Sequence, residues 1–242
     1  MPKIGPIPEN VVSYVRDLAW TTIPQIAAPR LTSAMVRLID ASIDGMGKFP
    51  SAKQTATRHL TRKNDVGKAV DAVVRTHVAV ATAQGVVTNI GGLVSAIVGT
   101  PVNATGIISV QIHMAAGIAH LHGYDVDDPR VRTAVTMCLL GERELERQIS
   151  AQELPTTPMA VATSPIPDPA LLEQVADRVL NHILAESAGK GLVTTLGRKT
   201  PIIGGGVGGI ADFLDTMVVS RCVKKYLVPR RPLALRPVVV WF

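Results

Sequence analysis

Residues 76–124 contain no Asp, Glu, Lys or Arg. A segment that long without charge must hide almost all of its surface from water, either in a protein core or in lipid. Aromatic residues are also scarce, at 3% of the chain. That excludes a core built on stacked rings and favours small and branched aliphatics at close helix contacts. Cysteine occurs only at Cys138 and Cys222, each among apolar residues at helical spacing, which points to a reducing compartment. The N-terminus lacks the basic-then-apolar layout of a signal peptide and is interrupted by Pro2, Pro6 and Pro8. Export is therefore not expected, and a cytoplasmic location is.

What is present is helical. At 242 residues the chain is long enough for one well-buried domain or two small ones. Val12, Val15 and Ala19 share a face of a short helix that Pro24 stops. Met35, Leu38, Ile39, Ile43 and Met46 form a stripe at i, i+3, i+4 spacing, closed by Gly45 and Gly47. Residues 48–64 read as a basic loop or solvated helix, and Val66, Val70, Val73 and His77 then carry a helix into the charge-free run. Gly91, Gly92, Gly99 and Pro101 divide that run into a hairpin of two apolar helices, about 78–99 and 101–122. Asp128-Pro129 and Asp168-Pro169 each place a carboxylate at an N-cap and a proline at the first helical position. The first of these starts is expected to run through Val131, Val135, Cys138 and Leu145, and the second through Leu172, Val175, Val179 and Ile183. Between them, residues 150–168 are rich in Pro, Thr and Ser and read as a flexible linker. A last helix over about 201–227 is expected to turn Ile210, Phe213, Leu214 and Met217 inward. The expected fold is all-α: two Gly-rich hairpins packed on amphipathic helices. It divides into an N-terminal extension (1–64), a main domain (65–227) and a Pro-rich apolar tail (228–242).

Three segments of this layout match a known pattern. They are the Gly-rich stretch 85–101, the turn His122-Gly123-Tyr124-Asp125, and Pro201-Ile202-Ile203-Gly204-Gly205-Gly206. On these segments, residues 65–227 resemble the EcsC family of bacterial proteins. Two positions depart from that family: Val102-Asn103 stands where an acidic residue tends to follow the hairpin break, and His122 replaces a Tyr. The resemblance implies a bacterial accessory protein, linked in some members to ABC transport and secretion. It carries no catalytic residue with it.

Several groups are candidates for chemistry. Gly204/Gly208 and Gly205/Gly209 make small-xxx-small ridges that let helix backbones approach closely, in lipid or in a soluble core. With Gly91, Gly92, Asn103 and Asp212 they are the candidate cradle for a lipid or hydrophobic ligand. Asp212 and Asp215 follow the ridge at once and count against a membrane-spanning helix there. The Gly204–Gly209 run lacks the Gly-Lys-Ser/Thr ending of a P-loop and follows no strand, so no nucleotide cofactor is expected. His77, His113 and His120 could gather around a zinc ion, but no HExxH pattern accompanies them, and a satisfied interior histidine is the commoner outcome. No GxSxG elbow is present, and Cys138 lies on an apolar face. Net charge +6 suggests an anionic partner. Lys48, Lys53, Arg58, Arg62 and Lys63 are the candidate contact with anionic phospholipid, and the lack of interleaved aromatics argues against a base-stacking platform for nucleic acid. Val239, Trp241 and Phe242, beyond three prolines, either fold back or dock on a protein partner.

The sequence thus leads to a non-enzymatic, EcsC-like accessory protein at the inner face of a membrane, handling a lipid or supporting a transport complex. Two other readings stand beside it: a soluble scaffold recruited through the tail, and an enzyme with a His/Asp site.

Overall fold

A computed structural model describes residues 29–45, 49–90, 100–196 and 204–230. Among them there are helices and no strand, so the fold is all-α. Helix α1 spans Pro29–Asp44, α2 Ala52–Lys63, α3 Val66–Ile90 and α4 Thr100–Leu121. Next come α5, Pro129–Met137, a 3₁₀ turn, Cys138–Leu140, and α6, Gly141–Ser150. The short α7, Pro158–Ala162, precedes the long α8, Pro169–Leu196, and α9, Gly204–Tyr226.

Local chemistry sets most of the boundaries. Ser51 caps α2 through a reciprocal capping box: its hydroxyl accepts from the Gln54 backbone, and the Gln54 side chain accepts from the Ser51 N–H. Asp65 accepts from the Lys68 N–H at 2.7 Å, Asp128 from Arg130 at 2.9 Å, and Asp168 from Ala170 at 3.0 Å. Of the two forms open to segment 48–64, Ala52–Lys63 takes the helical one, as the capped helix α2. Helix α1 closes as its spacing predicts, with Met35, Leu38, Ile39 and Ile43 buried and Gly45 at φ +80°. A Cβ at Gly45 would lie 2.5 Å from the Phe49 carbonyl oxygen, so the tight turn into α2 requires glycine.

The core sits where α3 and α4 lie antiparallel, with α2 and α9 both packed on them. Small residues make the α2 crossing close. Ala52 and Ala56 are fully buried, and a Cβ at Gly117 would be in ordinary contact with Val73 and with α2. Buried residues of α1 and α2 belong to the same cluster as those of α4, α5 and α9, so the first sixty-four residues, where described, share the main core. Arg132 on α5 reaches both Asp40, 2.7 Å, and Asp44, 2.6 Å, on α1. Ser42 and Ser109 join α1 to α4 by a buried hydroxyl pair 2.8 Å apart.

Four expectations change. The charge-free run does not start a helix of its own: its first part is the C-terminal half of α3. The helix expected to continue from Val131 through Leu145 breaks after Met137, because Gly141 takes φ +72°, ψ 167°, a region only glycine adopts readily. The linker over 150–168 is folded in part. Thr157 caps α7 with Pro158 at its first position, and Leu154, Val161 and Ala162 are buried. The inward face of α9 is not the expected one. Thr216, Val219, Ser220, Cys222, Val223 and Leu227 are buried, while Ile210, Phe213, Leu214 and Val218 are exposed and Met217 is only partly covered. The expected helix over Val12–Ala19, together with Met46 and Gly47, lies outside the described residues.

Candidate functional site

The reversal of α9 creates the most informative surface feature. Ile210, Phe213, Leu214, Met217 and Val218 are spaced at i, i+3, i+4, i+7 and i+8, so they line one side of the helix. Ile210 is 61% exposed and Leu214 54%. The same side continues to the exposed Arg221, one turn beyond Met217. The opposite side packs on α3, α4 and α6; within the row Met217 packs against the core and Val218 lies beside Gly141, which leaves Ile210, Phe213 and Leu214 surplus to it.

A second surface is cationic. Arg58, Arg62 and Lys63 on α2, with Lys68 and Arg75 on α3, are exposed and make no ion pair among the described residues. Lys53 differs: its Nζ lies 3.1 Å from Asp127, so it is partly neutralised. Lys48 lies outside the described residues.

The turn 122–125 has a structural role. The His122 imidazole donates through Nδ1 to the Leu227 carbonyl, and the Tyr124 hydroxyl donates to that of Val228 at 3.1 Å. The Arg230 N–H returns to the His122 carbonyl at 2.9 Å, and its guanidinium lies over the Tyr124 ring at 5.5 Å. Tyr124 is 2% exposed and is among the largest fully buried side chains. Residues 227–230 are therefore clasped to the end of α4, and the tail begins from a fixed root. Beside this clasp lies an open cleft of about 590 Å³ with apolar walls of Val66, Val70 and Pro229, at whose edge Lys224 meets Asp71 at 3.3 Å. Val239, Trp241 and Phe242 lie outside the described residues.

The histidines divide. His77 Nε2 and His113 Nδ1 are 2.7 Å apart, and both rings are buried. His77 Nδ1 donates to the Val73 carbonyl at 2.7 Å, and His113 Nε2 faces the Pro50 carbonyl at 3.2 Å. Burial, then the neighbouring His113, pushes His77 down to about 3, and burial lowers His113 as well. His120 does not join them; its Nε2 is 3.4 Å from the Thr57 hydroxyl. Among the described residues no three His, Cys, Asp or Glu side chains converge as metal ligands.

Gly91 and Gly92 lie outside the described residues, Asn103 lies in the first turn of α4, and Gly204, Gly205 and Gly208 open α9. Asp212 is half-buried on α9. Cys138 and Cys222 are buried side by side, and burial followed by its neighbour raises the Cys138 thiol far above the nucleophilic range. The exposed row on α9 has the spacing of a core stripe and so reads from the sequence as buried. The signal that could have found it is the second, smaller stripe opposite it, Val219, Cys222, Val223 and Leu227.

In comparisons with known proteins, no family model, no curated protein and no solved structure matches the chain.

Proposed function

We propose that this is a non-enzymatic, membrane-peripheral protein that lays the exposed row of α9 into the interfacial layer of an anionic membrane and handles lipid there. The observation that carries this reading is the solvent-facing line of Ile210, Phe213, Leu214 and Val218. Such a row is costly in water, and burying each large side chain contributes about 1.5–3 kcal/mol. No helix among the described residues is long and apolar enough to cross a membrane, which fits an interfacial seat. The unpaired cations of α2 add electrostatic attraction to acidic headgroups, at about 1 kcal/mol each. The resemblance to EcsC proteins points the same way, towards an accessory role beside a transport system.

Flotation of the full chain with vesicles tests it. Retention by phosphatidylglycerol-containing vesicles, weaker on pure phosphatidylcholine and lost in the Phe213→Asp/Leu214→Asp double variant, is the expected result. A chain that floats with neither vesicle, or a double variant that binds as well as the parent, overturns it. The scaffold reading is favoured by the clasped root at 227–230, which gives the tail a fixed point of departure. Loss of a co-purifying protein after deletion of residues 231–242, with vesicle binding absent, would select it.

A further inference from the structure

The contacts of His77 and His113 can be counted in protons. The Val73 and Pro50 carbonyl oxygens only accept, so each requires an N–H from the ring that faces it. The nitrogens facing each other at 2.7 Å require one proton between them. Three contacts therefore need three protons, whereas two neutral imidazoles carry two. In the neutral pair the best arrangement keeps the two short contacts. His77 Nδ1–H then donates to Val73, and His113 Nδ1–H donates to His77 Nε2. The lone pair of His113 Nε2 is left facing the Pro50 oxygen, across the longest of the three gaps.

We propose that His77 and His113 form a buried binding site for a single proton, taken up at His113 Nε2, and that its uptake ties Pro50 to α4. The lone pair of His113 Nε2 accepts the proton from water. The resulting imidazolium donates from Nδ1 to His77 and from Nε2 to the Pro50 carbonyl, and its charge is spread over the hydrogen-bonded pair. No covalent bond between heavy atoms changes. Pro50 immediately precedes Ser51, the cap of α2, so the proton fastens the start of the helix that carries Arg58, Arg62 and Lys63. The groups acting electrostatically on His77 are His113 and His59 from α2, the latter itself held down by burial, Arg62 and Lys63, while on His113 only burial and the Pro50 carbonyl act. No carboxylate is among them, so the site releases its proton at neutral pH and fills on acidification, below the ordinary histidine range. The pair titrates as one unit.

Ring-nitrogen NMR of the full chain, labelled in histidine and at the Pro50 carbonyl carbon, tests it between pH 7.5 and 4. His59→Gln and His120→Gln variants assist assignment. The expected result is one step below pH 6.5 in which both His113 nitrogens become protonated, His77 keeps its Nδ1–H form, and the Pro50 carbonyl shift moves in the same step. Three results overturn the proposal: independent titration of the two rings, a Pro50 signal that does not follow the step, or a pair that stays neutral until the chain unfolds.

Discussion

The two halves of α9 obey opposite rules. In the C-terminal half Val219, Cys222 and Val223 are buried, as is Leu227 just beyond its end. There Lys225 is held by Glu142 and Glu146 of α6, and Lys224 by Asp71 of α3. In the N-terminal half, Ile210, Phe213 and Leu214 face solvent. In the first region the apolar side chains are buried and Lys224 and Lys225 are paired, whereas in the second three large apolar side chains are left on the surface. The C-terminal half belongs to the core, and the N-terminal half carries apolar surface beyond it.

That contrast is sharpened by substitution. The largest effect belongs to the buried half: Leu227→Ala should cost about 3 kcal/mol, because it empties a fully buried site under the clasp. Chemical denaturation measures this as a lowered midpoint with an unchanged slope. Acid comes next. The unfolded chain has ordinary histidines while the buried His77 is pushed down to about 3, so the unfolded state binds more protons below pH 6.5. Stability is therefore full above pH 6.5 and falls on acidification by up to about 1.4 kcal/mol per pH unit for this residue. Denaturation midpoints at pH 7, 6 and 5 should descend accordingly, and a flat series would refute the buried neutral pair. Arg58→Gln should weaken affinity for acidic vesicles about fivefold at low salt, close to 1 kcal/mol. The difference should shrink in high salt, as for any exposed charge. The smallest effect on folding is expected at Leu214→Ser, within about 0.5 kcal/mol. A loss there as large as at Leu227 would mean that the exposed row supports the fold after all.

Much of this architecture was legible in local chemistry. Asp128-Pro129 and Asp168-Pro169 start α5 and α8 where their carboxylates and prolines predict. The same logic was present in Thr157-Pro158 and in the Ser51/Gln54 capping box, yet the surrounding Pro, Thr and Lys residues made one folded segment read as a linker and left the other open between loop and solvated helix. Side-chain direction was harder to read. On α9 the larger apolar residues line the solvent side, whereas the core side is built from Val, Cys, Thr and Ser. Ranking by hydrophobicity therefore selects the wrong face. Thr216 and Ser220 are buried, and the Ser220 hydroxyl donates to the Met217 carbonyl within its own helix. The break at Gly141 was invisible for a related reason. A glycine inside an apolar period looks tolerated until its φ is known. Of the candidate site, the pairing of His77 with His113 could be anticipated from helix geometry, but the departure of His120 to Thr57 depends on where α2 crosses. The clasp at 122–125 joins segments about one hundred residues apart, and no local pattern encodes it.

The most direct measurement places a nitroxide on Leu214→Cys, at a site far more accessible than the buried Cys138 and Cys222. On addition of phosphatidylglycerol vesicles, collision of the label with dissolved oxygen should rise and collision with a polar nickel chelate should fall, while a label at the exposed Glu173→Cys stays unchanged. Equal accessibilities at Leu214→Cys with and without vesicles would contradict an interfacial seat for α9.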